Sequence, residues 1–334
     1  MSDDGPEVRI PRALERYRCE QTMMCCREPF VATVSVEEET RMRTELATSE
    51  SGRALLPLIE GAIAGDGDER AWTKPSGSCT QLVGRNCAVH VAGGIHALPS
   101  TCRNYPRVVH VVADHWDVSF SMSCPTAARL LSEDPRPYTK VSLSSSGFVW
   151  RPTGRRARDE AREALLAGWL AALATARADA STLMAVLGAM LEEPLAPETP
   201  PAPSERLAVG IDPFVAVFAF GRLMQLPGRA ALYESERDHL VRELTAPWSV
   251  ARLTAAAEAA PELLAVLVEH ELHNLSLHPE AASDAVVRLA VRRGLMALRV
   301  VDALCDRVPL RTRALFADAF TLVAILGIDD RDNA

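Results

Sequence analysis

Seven of the chain's eight cysteines lie in its first 124 residues: Cys19, Cys25, Cys26, Cys79, Cys87, Cys102 and Cys124. Only Cys305 lies beyond them, inside an apolar helical stretch where it reads as core. Cysteines used merely as small buried hydrophobes would not be so lopsided. The opening hexapeptide, Met1-Ser2-Asp3-Asp4-Gly5-Pro6, is acidic and lacks the apolar run of a signal peptide. No run of about 18 apolar residues escapes charges and helix breakers. These features predict a soluble, cytoplasmic protein away from the membrane. There thiols stay reduced, and clustered ones point to metal or chemistry rather than disulfides. A net charge of −8 argues against a sequence-independent grip on nucleic acid.

The spacing runs Cys19-x5-Cys25-Cys26, Cys79-x7-Cys87, Cys102 and Cys124. Thiolates are soft ligands that suit zinc, copper(I) or iron–sulfur clusters. Structural zinc sites usually pair close cysteines, as in C-x2-C, and no such pair occurs here. Seven thiols also exceed the four that one zinc takes. Cubane clusters accept four thiolates from scattered positions, so an iron–sulfur cluster, of the 4Fe-4S type, is the leading expectation, with zinc as the alternative. Adjacent Cys25 and Cys26 diverge in a strand but in a tight turn can both reach a multi-iron cluster; one of them is otherwise a spare thiol. Cys87-x2-His90 suits zinc too, though a supporting role for His90 fits better where thiols abound.

The expected fold class is α+β, mostly α. Residues 1–18 read as a loose lead-in and 19–135 as the cysteine-cluster domain. Residues 136–155, rich in Pro, Ser and Gly, read as a linker, and 156–334 as a helical domain with a proline-rich linker at 194–204. Phe30–Val36 alternates and predicts a strand, and Glu37–Leu58 a helix broken near Ser51-Gly52. Segments 108–112 and 117–121 predict a hairpin leading to Cys124, after which Pro125 opens a helix. Helices are expected over 155–180, 182–193, 205–226, 229–245, 248–258, 261–277, 280–304 and 309–327. Gly61-x3-Gly65-x-Gly67 lies in a polar loop rather than after a buried strand, so it is no dinucleotide-type cradle. Glu269-His270-Glu271-Leu272-His273 sets two histidines at i, i+3, which reads as a histidine face on a solvated helix more readily than as a metal site. His96, His110 and His115 read as surface or hairpin residues.

The succession C-x5-C-C, Gly77-x-Cys79, Cys87-x2-His90 and Cys102-Arg103-Asn104-Tyr105-Pro106-Arg107 resembles the zinc- or iron-chelating cysteine-cluster family of bacteria. Ser119-Phe120-Ser121-Met122-Ser123-Cys124-Pro125-Thr126-Ala127-Ala128-Arg129-Leu130-Leu131 is similar to the S-x-S-C-P-E-A-A-R-L-L signature of its flagellin lysine-N-methylase branch. Thr126 departs from the usual Glu, and Thr80-Gln81-Leu82 stands where an aromatic is common. The resemblance covers residues 17–131, with the remainder alike only in outline. It implies an iron–sulfur-dependent protein lysine N-methyltransferase that uses S-adenosylmethionine, with all seven N-terminal cysteines as metal ligands. It also implies a partner protein carrying an exposed lysine, flagellin by resemblance only. Arg103, Arg107 and Arg129 are candidates to bind the cofactor's carboxylate, against a plainer reading as salt bridges that shape the loops. Methyl transfer to lysine needs a neutral amine, against a free pKa of about 10.4, so a base or desolvation is required. Segments 110–117 and 269–278 carry candidate bases. Two other classes remain: a metal-binding structural or redox-sensing module with a protein partner, and another iron–sulfur enzyme acting on a small molecule.

Overall fold

The computed structural model describes residues 7–20, 22–27, 32–66, 70–75, 78–112, 115–134, 138–142, 154–156, 160–192, 224, 229–246, 248–276, 283–307, 314–319 and 321. The fold is α+β and mostly α. It divides into two units: Arg18–Val108 with Val149–Arg151, here the thiol unit, and Met1–Tyr17, Val109–Phe148 and Pro152–Ala334, here the sheet–helix unit. This boundary differs from the one expected from composition. Residues 7–17 are no loose lead-in: Val8 and Ile10 alternate into the core as the strand Glu7–Pro11, and Ala13 and Leu14 follow buried in a 3-10 turn. The stretch expected as a linker carries two strands, Tyr138–Ser142 and Gly154–Arg156.

The sheet–helix unit is built on five strands in the order Tyr138–Ser142, Glu7–Pro11, His115–Phe120, Arg107–Val112, Gly154–Arg156. Glu7–Pro11 runs parallel to His115–Phe120, with Glu7 opposite His115, and antiparallel to Tyr138–Ser142, with Glu7 opposite Ser142. The expected hairpin is present as Arg107–Val112 and His115–Phe120, neighbours in the sheet. The helix Pro125–Glu133 follows Cys124, with proline at its first position as helix geometry favours.

The helices of this unit include Glu160–Ala176, Ala180–Glu192, Val250–Glu258, Pro261–Ser276 and Ser283–Leu304. The helix expected over 229–245 divides into Ala230–Tyr233, a 3-10 turn at Glu234–Glu236, and Arg237–Thr245. Residues 314–319 are helical, whereas the helix expected at 205–226 and the linker at 194–204 lie outside the described residues apart from 224. Pro261–Ser276 and Ser283–Leu304 approach so closely that a Cβ at Gly294 would lie 2.5 Å from Cγ2 of Val268. Buried charges are paired: Arg293 with Glu271, 2.5 Å; Arg177 with Glu269, 2.8 Å; and Arg229 with Asp318, 2.5 Å. Arg299, 2% exposed, stacks over Trp248 at 5.3 Å and donates to the carbonyls of Leu244 and Ala246.

The thiol unit has its own small core of Ala32, Val34, Met42, Leu46, Ile59, Trp72, Val89 and Leu98 with smaller residues, and Cys79, Cys87 and Cys102 pack against it. Of the segment expected as a strand at 30–36, the described residues 32–36 contribute an isolated bridge, Thr33 to Ala71. Ser35 ends it by capping the helix Val36–Ala47: its Oγ accepts from Glu38 N at 3.2 Å, and Glu38 Oε2 accepts from Ser35 N at 3.2 Å. Ser49 likewise caps Glu50–Glu60. Gly52 is obligatory there, because a Cβ would lie 2.0 Å from the carbonyl oxygen of Leu46.

Candidate metal centre

Four pieces of local structure gather the thiols. Cys25 and Cys26 sit on the single helical turn Met24–Arg27. That turn is entered through Met23 at φ 59°, a left-handed conformation that costs a long side chain about 1–2 kcal/mol and persists only where the surroundings hold it. The backbone of Cys79 then donates to the carbonyl of Cys26 at 2.7 Å, tying the second segment to the first. A two-stranded ribbon, Leu82–Val83 with Asn86–Cys87, turns at Gly84 (φ 61°) and sets Cys87 opposite Leu82, whose N–H donates to the carbonyl of Cys79. Cys102 lies on the short helix Ser100–Asn104. That helix is positioned by Glu38, whose Oε1 accepts from Ser100 N at 2.7 Å, and by Arg41, which donates to the carbonyls of His96 and Leu98. Burial works against the Glu38 carboxylate, but the hydrogen bonds from Ser100 and Ser35 outweigh it and hold its pKa below the usual range.

These thiols share one electrostatic neighbourhood. Burial pushes Cys87 up to about 11, and the charges of Cys26 and Cys79 add to it. Cys102 is raised further, by burial and then by Cys87, Cys79 and Cys26, and Cys79 is raised by burial and by Cys26. Cys26, Cys79, Cys87 and Cys102 are thus coupled in every pairing. Cys25 and Cys26 lie 3.9 Å apart, sulfur to sulfur. Acting as donor to Cys26 raises Cys25, and burial adds to the rise. Cys26 is drawn down to about 7, by that hydrogen bond first and then by Lys74 and Arg27, against burial. Lys74 also donates to the carbonyl of Cys25 at 3.3 Å.

The donor set fits a soft metal in chemistry and in number. Thiols brought together out of water repel one another as thiolates, and a bound cation relieves both that repulsion and the desolvation cost. Among the described residues no group of three or more His, Cys, Asp or Glu side chains stands close enough together to hold a metal ion as the side chains lie.

The remaining candidates fall as follows. Cys19 is exposed in the thiol unit. Cys124 belongs to the sheet–helix unit, buried, with its sulfur 3.5 Å from the Tyr17 hydroxyl. Arg103 lies on the Cys102 helix, and Arg107 opens the strand Arg107–Val112 just after the cis Tyr105–Pro106 bond. Arg129 pairs with Glu133 at 2.9 Å across one helical turn. His90 follows Cys87 on the helix Ala88–Gly93.

Two expectations are corrected, at Cys305 and at Glu269–His273. Cys305 is exposed at the end of its helix rather than core, its thiol donating to the Asp302 carbonyl. His110 and His115 lie in the two strands of the hairpin, as expected, and are buried there. The Glu269–His273 stretch is no solvated face: His270 is 2% exposed with Nε2 2.8 Å from the Phe120 carbonyl, and Glu269 and Glu271 take the arginine pairs above. Lys74, a lone lysine in a polar stretch, carries no sequence pattern that marks it.

In comparisons with known proteins, the chain matches no family model, no curated protein and no solved structure.

Proposed function

We propose that the thiol unit holds an iron–sulfur cluster and that the chain is an S-adenosylmethionine-dependent protein lysine N-methyltransferase, working in the cytoplasm on a partner protein with an exposed lysine. The observation that carries the metal half is the shared neighbourhood of Cys26, Cys79, Cys87 and Cys102, with Lys74 acting on three of them, Cys26, Cys79 and Cys102. The methyl-transfer half rests on the resemblance of residues 17–131, above all Cys102–Arg107 and Cys124–Leu131. When bound, the cluster would supply a redox-active centre held by thiolates from the Met24–Arg27 turn, the Leu82–Cys87 ribbon and the Ser100–Asn104 helix.

The chain's own residues limit the rest of the chemistry. His270 is neutral, because burial lowers its pKa. At 2% exposure, however, it cannot meet a lysine on another protein, and its Nε2 serves the Phe120 carbonyl. Glu269 is held by Arg177. These side chains serve the fold, so the neutral amine must be obtained by desolvation or by another base. Arg103 and Arg107, close in sequence to Cys102, are the guanidinium groups proposed to meet the cofactor's carboxylate.

The test is calorimetric titration of anaerobically purified protein with S-adenosylmethionine, followed by transfer of labelled methyl to lysine-bearing proteins. Saturable binding with label on lysine is expected; absence of binding by the metal-loaded protein would end the methyltransferase reading.

One distance favours a second reading, a structural zinc site in a module that engages a protein partner. Two thiolates of a tetrahedral zinc, at Zn–S of about 2.3 Å, stand about 3.8 Å apart. The Cys25–Cys26 separation is 3.9 Å. Zinc without sulfide in the purified protein would support this reading.

A further inference from the structure

A cluster of thiolates needs a compensating positive charge as well as a metal, since four thiolates leave either a zinc ion or a cubane cluster with net negative charge. Lys74 occupies the place from which such a charge acts. The two residues before it are fixed by separate segments. Trp72, 6% exposed, donates its N–H to the Ala32 carbonyl, and Thr73 donates its N–H and its hydroxyl to the Ala62 carbonyl. Its Nζ lies 3.3 Å from the Cys25 carbonyl, on the turn that carries Cys25 and Cys26. The ammonium acts on Cys26, Cys79 and Cys102 together, whereas Arg27 acts on Cys26. The side chain is half-buried, so water screens its charge less than that of a surface lysine.

We propose that Lys74 is the counter-charge of the thiolate centre: held against the Cys25 carbonyl, its ammonium offsets the net negative charge of the metal-loaded site and strengthens metal binding. The proposal rests on the metal-centre reading above and adds a residue that is not itself a ligand. Lys74 would act through the ligands as a positioning and electrostatic residue.

The experiment uses Co²⁺ alone as the probe, titrated anaerobically into metal-free full-length protein and followed by the thiolate-to-cobalt absorption. The variants are Lys74→Arg, Lys74→Gln and Lys74→Met. Arginine keeps the charge, glutamine keeps a donor for the Cys25 carbonyl without charge, and methionine removes both. Glutamine and methionine are both expected to weaken Co²⁺ binding by about tenfold, the loss of one partly screened charge at close range. Arginine should stay within about threefold of wild type, and raising the salt should narrow the gap between wild type and glutamine. Far-ultraviolet circular dichroism checks that each variant is folded. Wild-type affinity in the glutamine variant, with loss only in methionine, would show a hydrogen-bonding role and overturn the proposal. Equal affinity in all four proteins would overturn it as well. A wild-type protein that develops no thiolate-to-cobalt absorption would overturn the metal-centre reading itself, and this proposal with it.

Discussion

The two units solve the problem of buried polarity in opposite ways. In the sheet–helix unit every strongly buried charge named above has a partner of opposite sign or a set of carbonyls: Glu271 has Arg293, Glu269 has Arg177, Asp318 has Arg229 and the Tyr233 hydroxyl, and Arg299 has Trp248 and two carbonyls. In the thiol unit, Cys26 raises the pKa of Cys79, Cys87 and Cys102, Cys79 and Cys87 add to the rise at Cys102, and the cations acting in this neighbourhood are Lys74 and Arg27. One unit is electrostatically closed by its own side chains. In the other, half-buried thiols have one another as neighbours, with Lys74 and Arg27 as the cations acting on them. On the proposed reading a metal would supply folding free energy to the unit with the smaller core.

Substitutions can break this comparison from either side. The largest effect is expected from Arg293→Ala, which strands Glu271 at 1% exposure without its ion partner. The expected loss is about 3 kcal/mol or more, read as a lowered denaturation midpoint and faster hydrogen exchange in the sheet–helix unit alone. Gly52→Ala is the counterpart in the thiol unit. Its Cβ would lie 2.0 Å from a backbone oxygen, which cannot yield as a side-chain tip can. A loss of about 2–3 kcal/mol is expected, with the exchange confined to residues of the thiol unit and a matching fall in metal retention.

Acid should act on the sheet–helix unit next. Burial lowers the pKa of His270 and takes that of His273 down to about 3, so both are neutral in the fold. Their unfolded values lie near 6.5, and the unfolded chain therefore binds more protons below that pH. The stability these histidines contribute is fully present above about pH 6.5 and is lost as pH falls toward 3. A loss on the order of 2–4 kcal/mol between pH 7 and 5 is expected, reduced to the share of His273 by His270→Gln if that variant keeps the bond to Phe120. Equal acid sensitivity with and without the histidine would contradict the assignment. The smallest effect is Gly84→Ala. Nothing crowds the added Cβ, but φ at 61° makes it unfavourable by about 1 kcal/mol. Since the same turn sets Cys87 opposite Leu82, metal affinity should fall more visibly than stability.

Some of this was readable from the sequence and some was not. The lopsided cysteines pointed to a shared neighbourhood, because thiols carry their signal in residue type alone; Cys26, Cys79, Cys87 and Cys102 have one. The Ser35-x-x-Glu38 capping box was also present as a start signal for the helix at Val36, and it overrode the alternation that suggested a strand through Val36. Other features depend on distant partners and leave little local trace. The strand Glu7–Pro11 is five residues ending in proline, and it becomes a strand only because Tyr138–Ser142 and His115–Phe120 flank it. Tyr138–Ser142 lies in a stretch whose prolines and serines read as linker. Glu269–His273 looked polar enough for solvent, yet Arg177, Arg293 and the Phe120 carbonyl come from far along the chain to receive it. Cys305 erred the other way: an apolar helix surrounds it in sequence, but it follows the last turn and faces water.

The most direct test of the central claim is the content of iron, zinc and acid-labile sulfide, with an optical spectrum, in protein purified without oxygen. The account predicts iron and sulfide in comparable amounts, with the broad visible absorption of a thiolate-held cluster. Zinc without sulfide would contradict the iron–sulfur assignment, and protein free of metal with fully reactive thiols would contradict the metal centre altogether.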